Sequence, residues 1–161
     1  MNGPLSKLRV EWGVLGFCAW QAVDILTAWR HSPFDSLGWL ALGIWLAPTL
    51  ASAFRSRARG PLTRRSALLC WLALLTCLIG ILTDMNFIRH VALALACAAI
   101  TPAFRFWGFW LALSLAWMSS LGWLLDGMPS FGVASARLGL AAIAAWVGLS
   151  EMLCRPGRVL E

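Results

Sequence analysis

The stretch SALLCWLALLTCLIGILTDMNFIRHVALALACAAITPA, residues 66–103, sets two long apolar runs around one short polar passage, TDMNFIRH at 83–90. Each run is about twenty residues, the length at which an α-helix crosses the hydrocarbon layer of a bilayer, and is too long for a buried strand. The polar passage between them then reads as a tight external turn, and the whole as a helical hairpin. Asp84 stands where it would cap the second helix and favour its dipole, with Asn86 just behind it. Arg89 and His90 fall one turn into that helix, where an arginine extends its head group to the interface.

Outward from this hairpin the same pattern repeats. Apolar runs at 10–29, 35–54, 66–83, 85–103, 106–125 and 131–153 predict an all-α, polytopic membrane helix bundle of six transmembrane helices, a single transmembrane domain over residues 1–161. The composition agrees, being 60% hydrophobic and 12% charged, where a soluble domain is about one quarter charged. Lys7 and Arg9 before the first run would suit a signal peptide. Gln21 and Asp24 interrupt that run, however, and no Ala-x-Ala site follows, so it is expected to be retained as a span.

Basic residues flanking spans are retained on the cytoplasmic side. With the N-terminus inside, ten of the 13 basic residues fall on inner ends: Lys7, Arg9, Arg55, Arg57, Arg59, Arg64, Arg65, Arg105, Arg155 and Arg158. Only Arg30, Arg89 and Arg137 fall outside, with all four aspartates and both histidines. Counting Glu11, Glu151 and Glu161 leaves +7 inside and −1 outside, which recovers the formal +6. The expected location is a bacterial inner membrane, multi-pass, with both termini cytoplasmic. The basic loop RSRARGPLTRR at 55–65 then rests against anionic head groups, so membrane lipid is an expected partner and nucleic acid is not.

The cysteines at 18, 70, 77, 97 and 154 form no C-x-x-C pair and lie within the bilayer or at its inner edge, away from both histidines. They are expected to be small packing residues, neither nucleophiles nor metal ligands nor disulfides, and no cofactor is implied. Helix association in lipid comes from close packing and buried polar contacts. Ala92 with Ala96, Ala94 with Ala98 and Ala141 with Ala145 have the required spacing. Of the 11 tryptophans, Trp29, Trp39 and Trp123 are expected as outer interfacial anchors and Trp12, Trp107 and Trp110 as inner ones. Trp20, Trp45, Trp117 and Trp146 are mid-span and are expected to pack. Pro48 and Pro102 remove helix hydrogen bonds and are expected to bend their helices.

Ionisable groups within a membrane are functional candidates whose partners must be named. The candidate outer-face polar cluster is Asp24, Arg30, His31, Asp84, Arg89, His90, Asp126 and Arg137. Asp24 and Arg137 reach similar depth by residue count and are expected to pair, with Gln21 on the same face as Asp24. Capping and side-chain extension explain much of this cluster without chemistry. Ser32, Ser119, Ser120 and Ser130 lack a G-x-S-x-G or comparable setting beside a base, and no catalytic residue is assigned.

Three passages, WRHSPFDSLGWLAL at 29–42, WGFWLALSLAWMSSLGWLLDGMP at 107–129 and ARLGLAAIAAWVGLSEMLCRPGRVLE at 136–161, together resemble the front half of the exosortase/archaeosortase family of membrane-embedded sorting enzymes. The passage at 29–42 is similar to that family's first external loop, in which an acid and a glycine lead into the second helix. The passage at 107–129 resembles the helix that ends in a G-x-P external turn, and the one at 136–161 resembles the helix approaching the catalytic region. The family's catalytic cysteine, in a C-S-G context, and its later arginine and histidine have no counterpart here. The resemblance therefore implies an exosortase-like scaffold without the catalytic half, not a protease. The expected function is a non-catalytic inner-membrane scaffold or accessory subunit that binds another transmembrane segment or membrane subunit. A small channel or transporter-like subunit, with Asp24, Arg137 and His90 on a proton or anion path, is the alternative.

Overall fold

The computed structural model describes residues 10–55, 64–101, 105–125 and 127–154. Among them every regular element is helical: α1 Val10–Gln21, α2 Asp24–His31, α3 Gly38–Trp45, α4 Ala47–Arg55, α5 Arg64–Leu82, α6 Asn86–Ile100, α7 Trp107–Ala112, a 3-10 turn Leu113–Ala116, α8 Ser120–Leu124 and α9 Ser130–Cys154. Two of these, Arg64–Leu82 and Ser130–Glu151, are long and apolar enough to cross a membrane, while Asn86–Ile100 and Trp107–Ala116 are apolar but shorter. By internal contacts the chain divides into two compact units, one of residues 1–23 and 60–100 and the other of 24–59 and 101–161.

In the first unit α1 packs on both α5 and α6, and α5 and α6 form the hairpin the sequence predicts. Side-chain size sorts the faces of α5. Ser66, Leu69, Cys70, Ala73, Cys77 and Gly80 turn inward at helical spacing, whereas Leu68, Trp71, Leu72, Leu75, Leu78, Ile79 and Leu82 turn outward. Small residues let the backbones approach, and the bulky apolar ones are left on the outside. α6 supplies the matching surface: Ala92, Ala94, Ala96 and Ala98 are all buried, so the alanine spacing expected to serve association is used inside the unit. The approach is tight beside the turn, where a Cβ on Gly80 would lie 2.9 Å from Arg89 Cγ and 3.0 Å from the Arg89 backbone nitrogen. Cys18, Cys70, Cys77 and Cys97 are free thiols buried in this unit.

The second unit is built around α9, against which α3, α4, α7, α8 and the 3-10 turn all pack. The inward face of α9 carries Val133, Arg137, Ala141, Ala144 and Gly148 at intervals of three and four, while Phe131 and Trp146 face outward. Its other helices are interrupted. The run at 35–54 breaks at Leu46, because Pro48 has no N–H to donate and its ring excludes the preceding turn. The run at 106–125 tightens from α7 into 3-10 geometry and restarts as α8. The first run is broken as well, its helix stopping at Gln21 and restarting at Asp24. Pro102 lies outside the described residues.

Aromatic packing fills the second unit. The indoles of Trp45 and Trp110 stack with centroids 4.1 Å apart at an interplanar angle of 8°, and Trp117 tilts against Trp45 at 5.8 Å. Each stacked ring also hydrogen-bonds the other's backbone: Trp45 Nε1–H donates to Trp110 O at 2.9 Å, and Trp110 Nε1–H donates to Trp45 O at 3.1 Å. The expected packing role of Trp45 and Trp117 holds. Trp110, expected as an inner interfacial anchor, is instead fully buried, because the stack with Trp45 satisfies both its ring and its N–H. Trp20 and Trp146, expected to pack, are 76% and 75% exposed and face outward.

Candidate functional site

The best-defined polar site lies in the second unit and centres on Arg137, whose side chain is completely buried. Arg137 Nε donates to Phe34 O at 3.0 Å, Nη1 donates to Ala116 O at 3.0 Å, and Nη2 is paired with the Asp35 carboxylate. Each partner stands where regular structure stops. Phe34 and Asp35 lie in the turn between α2 and α3, and Ala116 ends the 3-10 turn. Carbonyls in such positions have no continuing helix to bond them, and an unpaired buried carbonyl carries a desolvation penalty of about 1–3 kcal/mol. A guanidinium supplies five donors in a fixed fork, so one side chain on α9 joins two chain breaks and neutralises one acid.

This geometry replaces the expected pairing of Asp24 with Arg137. Counting along α2, which runs unbroken from Asp24 past Trp29, sets the depth of Asp24 but not which residue faces the guanidinium. Asp35 takes the role, being brought to Arg137 by the turn after Pro33. Residue counting misses it, because Asp35 lies in the turn three residues before Gly38 and not along a counted helix. The glycine has its own physical reason, since a Cβ there would collide with the Trp29 indole, whose Nε1 donates to Trp117 O at 3.1 Å.

The other candidates are dispersed over both units. Asp24, half-buried, begins α2, and Arg30 and His31 end it, exposed. His31 Nδ1–H donates to Thr27 O at 3.0 Å, which fixes the imidazole and turns Nε2 away from that carbonyl. Asp84, Arg89 and His90 belong to the first unit. Asp84 sits in the hairpin turn at φ +53°, a left-handed conformation that aspartate tolerates better than most residues. Its carboxylate receives Arg89 Nη2 at 2.5 Å, and Arg89 Nε donates back to Gly80 O at 3.3 Å. Arg89 therefore reaches the exposed turn acid with its head group while its Nε ties the hairpin backbone. His90 is buried. Asp126 lies outside the described residues.

Groups assigned to the inner side meet as well. In the first unit the Ser66 hydroxyl lies 3.0 Å from Glu11 Oε1 and 3.1 Å from Ala99 O. In the second, Arg105 N–H donates to Glu151 Oε1 at 2.9 Å, and the buried hydroxyls of Thr49 and Thr101 are 2.6 Å apart. Among the described residues no group of three or more His, Cys, Asp or Glu is arranged to hold a metal. No protein-family model, curated protein or solved structure matches the chain.

Proposed function

We propose that the chain is a six-span integral protein of a bacterial inner membrane, with both termini cytoplasmic, that acts as a non-catalytic scaffold or accessory subunit for another membrane-embedded segment. The observation that carries this reading is the inverted sorting of side chains. Leu, Ile, Phe and Trp face outward on α5 and α9, while Arg137, Asp35, His90, Ser66 and Thr49 are buried. Water would penalise such a surface, and lipid favours it. Counted through their breaks, residues 38–55 and 107–124 extend about 27 Å each at about 1.5 Å per helical residue, close to the hydrocarbon thickness of about 30 Å. The pairing of inner with inner groups and outer with outer groups fits the alternating orientation that basic-residue placement predicts.

The scaffold role extends from the three passages that resemble exosortases, all of which fall in the second unit with Arg137 and Asp35. The alanine stripes of α6 are already covered by its own unit, so a partner segment would meet the outward apolar faces. Alkaline washing of membranes should leave the protein in the pellet, and reporter fusions after Arg65 and after Gly127 should read cytoplasmic and external respectively. Recovery in the wash, or a cytoplasmic signal at Gly127, would overturn the topology. A stoichiometric membrane protein retained through mild-detergent purification supports the scaffold role. Proton or anion flux through vesicles containing the pure protein would replace it with the channel reading.

A further inference from the structure

An open groove of about 450 Å³ lies in the second unit, lined by Leu26, Thr27, Trp29, Arg30, His31 and Trp39. Its chemistry is two-sided. Arg30 and His31 give one wall cationic and hydrogen-bonding character, and none of the lining residues is acidic. The α2 C-terminus contributes a partial negative charge of about one half, which the full charge of Arg30 exceeds. The other wall is apolar, formed by Leu26 and Trp39, both more than half exposed. The floor is fixed: the Trp29 indole is held by the Trp117 carbonyl and packs over Gly38, where any larger residue would displace it. His31 is held by Thr27 O, so its Nε2 edge is the one left to meet a ligand.

We infer that this groove binds an anionic phospholipid of the outer leaflet, its phosphate on Arg30 and His31 and its acyl chain along Leu26 and Trp39. The inference rests on the membrane reading proposed above. A free anion would use the cationic wall and leave the apolar one uncovered; a zwitterionic lipid would place its own cation beside Arg30. An arginine fork matches a phosphate in charge and geometry, and tryptophans at the interface sit at head-group depth.

The test uses purified full-length protein in maltoside micelles, titrated with dioctanoyl phosphatidylglycerol, dioctanoyl phosphatidylcholine or sodium phosphate, with bound lipid counted by native mass spectrometry. One phosphatidylglycerol should be retained, with the phosphatidylcholine bound more weakly. The double variant R30Q/H31Q should lower phosphatidylglycerol affinity about tenfold, the effect of losing a charge-assisted hydrogen bond. L26E, which places an acid on the apolar wall, should lower it as well. Both substitutions are at exposed positions, and an unchanged melting temperature without lipid checks that the fold is intact. Equal affinity for phosphatidylcholine, unchanged binding in R30Q/H31Q, or displacement of the lipid by phosphate with no effect of L26E would each overturn the proposal. Recovery of the protein from the soluble fraction would overturn the membrane reading first, before any lipid is added.

Discussion

The two units solve the same problem in opposite ways. The first uses uninterrupted helices whose backbones satisfy themselves, and its α5–α6 seam is lined largely by Ala, Cys, Ser and Gly, with Leu69 and His90 among them. The second interrupts its helices and must then supply partners for the carbonyls released at each break. It does so with long, polar or amphipathic side chains, Arg137 and the tryptophans, reaching across from neighbouring elements. Regularity allows a core of small residues. Irregularity requires donors that span distance, and the difference predicts where each unit is fragile.

The largest expected effect is at the hub of the second unit. R137L removes the donors for Phe34 O and Ala116 O and leaves Asp35 buried without its cation. Removing one partner of a buried pair typically costs about 3–5 kcal/mol. D35N should cost less than R137L, because the two carbonyl bonds survive, and D24N should show no coupling to R137L. A double-mutant cycle on unfolding in detergent measures this, and coupling of Arg137 to Asp24 in place of Asp35 would break the description of the hub.

Next comes the aromatic core. W110F keeps most of the stack with Trp45 but strands the Trp45 carbonyl, a loss of about 1–3 kcal/mol. In the first unit the corresponding sensitive point is a glycine. G80A drives a methyl into Arg89, including its backbone nitrogen, and overpacking of this kind costs about 1–3 kcal/mol. G13A is the control: open space surrounds that position, so alanine should stabilise by about 0.5–1 kcal/mol through helix propensity. If G80A were as harmless as G13A, the contrast between a close-packed and a donor-bridged unit would lose its first half. The smallest effect is expected for D84N, since Asp84 is 92% exposed. Melting curves should show a change of at most about 1 kcal/mol, as for other surface ion pairs, because asparagine also tolerates the left-handed turn.

The same contrast explains what is legible in the sequence. The hairpin at 66–103, its turn at TDMNFIRH and the buried alanines of α6 follow from local periodicity and residue size, and both are visible in one dimension. The partner of Arg137 does not follow, because it depends on where helices stop. A count along α2 fixes the depth of Asp24 but not the side on which Arg137 lies, and it stops short of the α2–α3 turn that carries Asp35. Trp110 and Trp146 exchange their expected roles for a related reason. Depth along a helix is countable from sequence, whereas the direction in which an indole turns is decided by which neighbouring carbonyl it can reach. Gly38 and Asp35 carry no local signal of their roles in the sequence; the reasons are the Trp29 indole over one and the Arg137 guanidinium on the other.

Arg137 also has a bearing on how such a chain would be made. It lies seven residues into the last helix, roughly 10 Å from that helix's start at about 1.5 Å per residue. In a membrane-spanning chain, as proposed, an arginine disfavours partition of its helix into lipid, by about 2.5–3.5 kcal/mol at the span's centre and less toward its ends. Phe34, Asp35 and Ala116 all precede it in the chain, so every group that receives the guanidinium is synthesised before α9. The last helix would then partition against earlier ones already waiting with matching acceptors, and its entry would be gated by their arrival and not by its own hydrophobicity.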